Sequence, residues 1–119
     1  MALNNSSLDL MLNGLDINRV SLHSGAPGAA GTDNVVGAAI VVTLDTPTDD
    51  GTGRKRAVAA AVEFTGLTPG ASVTHFGWWK DGTPNVYRGF TTRDTGDATV
   101  NAAGEYTVTT ATKITLDND

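Results

Sequence analysis

The chain has 119 residues, with 8 lysines and arginines against 13 aspartates and glutamates, a formal net charge of −5 and no cysteine. One domain of this size has room for a single modest core, and the lack of cysteine excludes disulfides, thiolate metal sites and a cysteine nucleophile. The acidic balance repels a nucleic-acid backbone, and no apolar run approaches the roughly 20 residues that span a bilayer, so we expect neither a nucleic-acid nor a membrane partner.

The composition favours strands over helices. The sequence contains 18 threonines and 14 glycines but 2 glutamates, and strand-length segments alternate with turn signals about every 8 to 12 residues. We therefore predict one all-β domain over residues 1–119, an antiparallel β-sandwich or jelly-roll-like fold with one short N-terminal helix. The first residues lack the cationic and apolar regions of a secretory signal, so we expect synthesis in the cytoplasm.

The N-terminal helix is predicted over Ser7 to Asn13. A capping signal lies at Ser6 to Asp9, and Gly14 is expected to end the helix. Apolar side chains recur at helical spacing on one face. We expect this stripe to dock on the sheet or on a neighbouring subunit; it comprises Leu8, Met11, Leu12 and Leu15.

A strand at Ile17 to His23 is predicted next, with Val20 and Leu22 on one face and Arg19, Ser21 and His23 on the other. Small residues over 24–34 predict a loop that is flexible unless a partner orders it. The segment from Val35 to Leu44 is apolar on both faces, which predicts a strand buried on both sides or covered by a second copy of the chain.

The polar segment 45–56 changes from acidic to basic and predicts an exposed loop. A strand is expected over Ala57 to Thr65, followed by a hairpin of Ser72 to Trp79 and Val86 to Thr92. Trp78 and Trp79 are adjacent, so within one strand they must point to opposite faces and one of them must leave the main core. A long final strand is predicted from Glu105 to Leu116.

No pattern of catalytic or ligand-binding residues stands out. His23 and His75 are interpreted as structural histidines, since neither has the spacing of a catalytic or zinc-binding motif. The aspartates of the predicted turns do not form a calcium loop, and the glycines do not form a phosphate-binding motif. We therefore expect no enzyme, no metal and no cofactor.

Two phrases of the sequence nevertheless resemble a known family. They are Val20 to Gly31 (VSLHSGAPGAAG, the first phrase) and Val73 to Trp79 (VTHFGWW, the second phrase), together with Asn34 to Gly37 and Arg54 to Val58. They are similar to the VSLHTADPG-x-x-G and VTHFGLW patterns of small virion proteins of tailed bacteriophages, called minor tail, tail fibre or minor capsid (decoration) proteins. The chain departs from that pattern at residues 24–26, in the long apolar strand predicted from Val35 to Leu44, and in the Asp45 to Gly53 insertion.

The resemblance implies a structural virion protein, which we expect to be a capsid decoration protein forming a homotrimer on the phage major capsid protein. The expected subunit contacts are Leu8, Met11, Leu12, Leu15, Val36, Ile40 and Val42. The expected shell contacts, in the two loops, are Pro27, Asp33, Arg54, Lys55 and Arg56. Two alternatives stay open: a minor tail or fibre-tip protein that binds host glycan through Trp78 or Trp79, and a non-viral carbohydrate-binding sandwich.

Overall fold

The computed structural model describes residues 4–117, with the backbone alone for Asp117. It consists of one helix, α1 (Asn5–Gly14), and nine strands. The strands are β1 (Arg19–His23), β2 (Ile40–Val41), β3 (Thr48–Asp49), β4 (Gly53–Ala57), β5 (Val62–Phe64), β6 (His75–Lys80), β7 (Val86–Thr92), β8 (Tyr106–Val108) and β9 (Lys113–Asp117).

The strands form three antiparallel sheets, with the orders β2-β1-β6-β7, β3-β4-β9 and β5-β8. One apolar core joins them, and its largest members are Trp78, Phe76 and Tyr106. The Phe76 ring lies 6.3 Å from the ring of Trp78 and 6.4 Å from that of Tyr106, both tilted, which is a favourable aromatic geometry. The predicted all-β, sandwich-like fold with one short helix is confirmed.

Helix α1 begins two residues earlier than predicted, because Asn4 rather than a serine is its N-cap. The Asn4 side chain accepts a hydrogen bond of 2.9 Å from the Ser7 amide. The Asp9 carboxylate, expected to support the cap, instead bonds Arg54 of β4 at 2.7 Å. This ion pair fixes the helix on the three-stranded sheet, where Leu8 and Leu12 are buried.

The prediction of one long strand from Val35 to Leu44 is wrong. Only Ile40–Val41 forms a strand, as β2. Gly37 has a φ of +78°, a left-handed conformation that interrupts an extended chain. As a result, Val35 and Val41 are exposed whereas Val42 is buried in the core. The apolar run therefore winds along the margin of the core instead of lying between two layers.

The segment 45–56 is also more regular than predicted. It contains strands β3 and β4, which pair as a hairpin through Thr48 with Lys55 and Asp49 with Arg54. The strand expected over Ala57 to Thr65 is divided into the end of β4 and the short strand β5. The final strand is likewise divided, because a turn closed by the Thr112 amide and the Thr109 carbonyl, 3.1 Å apart, separates β8 from β9.

The hairpin of β6 and β7 confirms the predicted pairing of these segments. A bulge lies between Trp78 and Trp79 on β6: Trp78 pairs with Gly89 and Trp79 with Tyr87, which leaves Arg88 without a partner residue in the ladder. The Arg88 Nε donates to the Leu15 carbonyl oxygen at 2.9 Å. This bond connects the edge strand β7 to the end of helix α1.

Candidate functional site

A polar cluster lies on the face of the four-stranded sheet that points away from the core. Because side chains alternate along a strand, Val20 and Leu22 of β1 enter the core while Ser21 and His23 point outward. On β6 the register places Gly77 opposite Ser21 and His75 opposite His23. The outward groups of two central strands are thereby brought together.

The hydrogen bonds of this cluster fix the proton positions. His23 Nδ1 lies 2.8 Å from the Asp33 carbonyl oxygen, which can only accept, so Nδ1 carries the imidazole proton. Nε2 is then an acceptor, and the Ser21 hydroxyl donates a hydrogen bond of 2.6 Å to it. The Ser21 oxygen in turn accepts from Trp79 Nε1 at 2.9 Å. The result is a chain of three bonds from Trp79 to the Asp33 carbonyl.

Residues 24–34, which we name the covering loop, lie over this cluster. The loop is closed at its base by the Ser24 amide, which donates to the Asn34 carbonyl at 2.9 Å, and across its middle by the Asp33 amide, which donates to the Pro27 carbonyl at 2.9 Å. Gly31 packs against the Tyr87 ring so closely that a Cβ atom would overlap it. The segment is a loop in the structure, but internal hydrogen bonds hold it, so the expectation that it needs a partner to become ordered is not met.

Burial determines the chemistry of the cluster. His23 is fully buried, and loss of hydration lowers its imidazole pKa below the ordinary value. A serine hydroxyl bonded to a histidine is also the arrangement of a nucleophile and its base. Ser21 is 2% exposed, however, so in this structure no substrate reaches its oxygen. The bonds instead tie the covering loop to β1 and β6.

The expected subunit contacts divide into three groups. Leu8, Leu12 and Val42 are buried in the core of their own chain, so the expectation that they contact a neighbour is wrong. Leu15, Val36 and Ile40 are half-buried and pack against that same core. Met11 is 49% exposed and remains available, together with Leu10, which is 74% exposed and was not among the candidates.

The residues expected to contact the shell also lie in different elements from those predicted. Arg54 and Arg56 lie in β4 rather than in a loop: Arg54 pairs with Asp9, and Arg56 donates to the Asp45 and Leu44 carbonyls at 2.7 and 3.3 Å. Within residues 4–117, Lys55 is the one cationic side chain with no hydrogen-bond or ion-pair partner.

The two loop residues of the same set, Pro27 and Asp33, both lie in the covering loop. Pro27 is buried, and its carbonyl oxygen receives the Asp33 amide. Asp33 is exposed, and its own carbonyl oxygen accepts from His23. Of these two candidates, Asp33 is therefore the one that a partner could reach.

Neither tryptophan is an exposed contact. Trp78 and Trp79 point to opposite faces as predicted, but Trp78 is in the core, and Trp79 is half-buried against Tyr87 with ring centres 5.0 Å apart. The exposed aromatic is Phe90 of β7, 51% exposed and 5.5 Å from the His75 ring. Side chains alternate along the edge strand β7, and one set of them is left uncovered. Phe90 belongs to this exposed set.

No group of three or more potential metal ligands occurs within residues 4–117. No helix in the same range is long and apolar enough to cross a membrane. Comparisons of the chain with models of known protein families, with curated proteins and with solved structures found no match.

Proposed function

We propose that the chain is a non-enzymatic structural protein of a tailed-bacteriophage virion. In this proposal it is a decoration protein, which binds the major capsid protein on the outer surface of the mature head as a homotrimer. A protein that binds only the mature shell stabilises it by RT ln(1 + [L]/Kd) at each site, and the symmetry of the shell repeats that gain.

The observation that carries the proposal is the position of the two phrases that resemble virion proteins. The first phrase contains most of β1 and most of the covering loop, and the second contains most of β6. The two strands pair over five residues, and Ser21 of the first phrase bonds Trp79 of the second. The resemblance therefore follows one structural unit, a strand pair with a fixed loop, rather than scattered positions.

The exposed surface supports an assembly role. Apolar side chains on α1 and on the two edge strands of the larger sheet are between 44% and 74% exposed; they are Leu10, Met11, Val41, Val86 and Phe90. In this proposal Leu10 and Met11, which are adjacent on α1, form the surface that a neighbouring subunit covers. Arg54 and Arg56 bond their own chain, which leaves Lys55 as the cation for polar contact with the shell.

Immunogold electron microscopy on virions of the phage that encodes the chain tests the placement directly. We expect antibody against the chain to label the whole head surface. Label confined to the tail would overturn the decoration role, and virions without label would overturn the virion assignment altogether.

The subunit contact is tested by sedimentation. We expect the wild-type chain to sediment as a trimer, and the double variant Leu10→Ser/Met11→Ser to sediment as a monomer with an unchanged circular dichroism spectrum. Val35→Ser is the control, since Val35 is an apolar residue outside α1 whose exposure, 51%, is close to the 49% of Met11. A trimer that withstands the double variant would show that α1 is not the contact.

Phe90 favours a second candidate function, a minor tail or fibre-tip protein that binds host glycan. An exposed aromatic ring on an edge strand offers a flat apolar surface of the kind on which a sugar ring packs. In this alternative Phe90 takes the place expected for Trp78 or Trp79. Tail labelling, together with loss of cell-wall binding in Phe90→Ser, would favour it over the decoration role.

A further inference from the structure

A polar cavity of about 350 Å³ opens between the two larger sheets. Thr91 near the end of β7 and Lys113 at the start of β9 lie on its walls, with Asp50 directly after β3 and Phe76 of β6. Its volume is at the lower end of the range of small-molecule sites, about 300 to 1,000 Å³. None of its residues belongs to the polar cluster beneath the covering loop.

Three charged groups line this cavity. Lys113 Nζ lies 2.8 Å from an Asp50 carboxylate oxygen, and the Asp50 side chain is 16% exposed. Asp94 lines the same cavity. The pKa of Lys113 is raised, first by its hydrogen bond to Asp50 and further by the charges of Asp50 and Asp94. Asp94 itself has no ion-pair partner within residues 4–117.

Two threonine hydroxyls add hydrogen-bonding capacity. Thr112 lines the cavity and, as a whole residue, is 3% exposed. Thr91 accepts a bond of 2.9 Å from Trp78 Nε1, so its own hydroxyl proton is still available to donate.

The charges restrict the ligand. The three charges of the cavity sum to −1, which disfavours an anion, and an apolar group would leave the hydroxyls and charges without partners. A neutral polyol meets every requirement, because each of its hydroxyls both donates to a carboxylate and accepts from an ammonium or a threonine. We propose that this cavity binds one sugar ring of a neutral glycan, with Asp94, Lys113 and Thr112 as the binding residues.

The proposal is tested by titrating ¹⁵N-labelled protein with glucose, galactose, mannose and N-acetylglucosamine in turn, recording amide spectra. We expect at least one of these sugars to give saturable shifts at Thr91, Asp94, Thr112 and Lys113. Methylammonium chloride and sodium phosphate are the charged probes. Saturable shifts with a charged probe and with none of the sugars would overturn the assignment of a neutral ligand, and no shifts with any probe would overturn the site.

Two variants localise the binding. Asp94→Asn removes a charged acceptor and should weaken the responding sugar about tenfold or more, whereas Asp97→Asn, a neighbouring exposed acid outside the cavity, should leave the affinity unchanged. Thr112→Val should also weaken binding, and Thr112→Ser should restore it. Equal affinity in Asp94→Asn and wild type would overturn the site. Capsid binding does not enter this measurement, so the result is independent of the proposed virion role.

Discussion

Ser21 Oγ and His23 Nε2 lie 2.6 Å apart, and this bond joins two outward-pointing side chains of one strand that are both hidden from solvent. Alternation accounts for their common face, but their burial comes from the covering loop, which supplies the Asp33 carbonyl as the second partner of the imidazole. The bond is thus part of an attachment between a loop and a sheet.

The first prediction concerns acid stability. The folded-state pKa of His23 is below the ordinary value near 6.5, mainly because of burial, so the unfolded chain binds more protons below that pH. Stability from His23 is complete above pH 6.5 and declines as the pH falls, by at most about 1.4 kcal/mol per unit. Urea unfolding between pH 7 and 5.5 measures this slope.

Two histidine variants assign the slope: His23→Gln is the test and His75→Gln is the control. His23→Gln should remove most of the slope between pH 7 and 5.5, while His75→Gln should keep it. An unchanged slope in His23→Gln would show that a different group causes the acid dependence.

The second prediction concerns Gly77. A Cβ atom at this position would overlap Ser21 Oγ and lie 2.8 Å from His23 Nε2, so Gly77→Ala must displace the hydrogen-bonded cluster. We expect a loss of about 1 to 3 kcal/mol in the free energy of unfolding. Gly14→Ala, where no atom lies within 4 Å of the new methyl group, should be neutral or stabilise the helix by up to about 1 kcal/mol. Chemical denaturation compares the two, and similar values would contradict the crowding described here.

The third prediction concerns Tyr106, whose hydroxyl donates to the Asp97 carbonyl at 2.7 Å. Tyr106→Phe should lower stability by about 0.5 to 1.5 kcal/mol in urea unfolding.

Burial raises the pKa of Tyr106 to about 12. The folded-state pKa exceeds the unfolded value near 10, so the protonated Tyr106 hydroxyl contributes to the stability of the fold. This contribution is complete below pH 10 and is lost as the pH rises toward 12. Absorbance at 295 nm should show phenolate forming together with unfolding. Ionisation of both tyrosines near pH 10 in the folded protein would contradict this expectation.

The fourth prediction separates two adjacent cations of β4. Arg54 bonds Asp9 and the Pro47 carbonyl, whereas Lys55 has no side-chain partner in the described chain. Arg54→Gln should therefore lower the melting temperature, and Lys55→Gln should leave it unchanged while weakening binding to heads that lack the protein. In Asp9→Asn, Arg54→Gln should have a smaller effect, since the pair is already broken. The reverse pattern between the two cations would assign the structural role to Lys55.

Local sequence patterns correctly predicted the features that depend only on residues close together in the sequence. The β6–β7 hairpin, the two faces of β1 and the opposite directions of Trp78 and Trp79 follow from alternation and turn residues, and the structure contains all of them. The prediction of one strand from Val35 to Leu44 is wrong because it rests on apolar content alone, whereas Gly37 takes a left-handed conformation that interrupts the extended chain.

The polar cluster required information that no local pattern holds. Ser21 and Trp79 are 58 residues apart, and their contact exists only once β1 pairs with β6 and the loop closes over them. His23 at the end of a strand beside a glycine-rich loop gave no sign of complete burial. Likewise, Arg54 and Arg56 were expected in an exposed loop, whereas they lie in β4 and bond Asp9 and the carbonyls of residues 44 and 45. No local pattern in the sequence indicates these partners.

The space above Gly77 has a consequence for tracing the ancestry of this chain. The side chains of Ser21 and His23 fill the space that a side chain at Gly77 would need. A substitution at any of the three positions therefore restricts which residues fit at the other two. The two phrases should therefore vary together among descendants of a common ancestor. A sequence with only one of them has no reason to share this architecture, and a pair of compensating changes across the two would be stronger support for kinship than either phrase conserved alone.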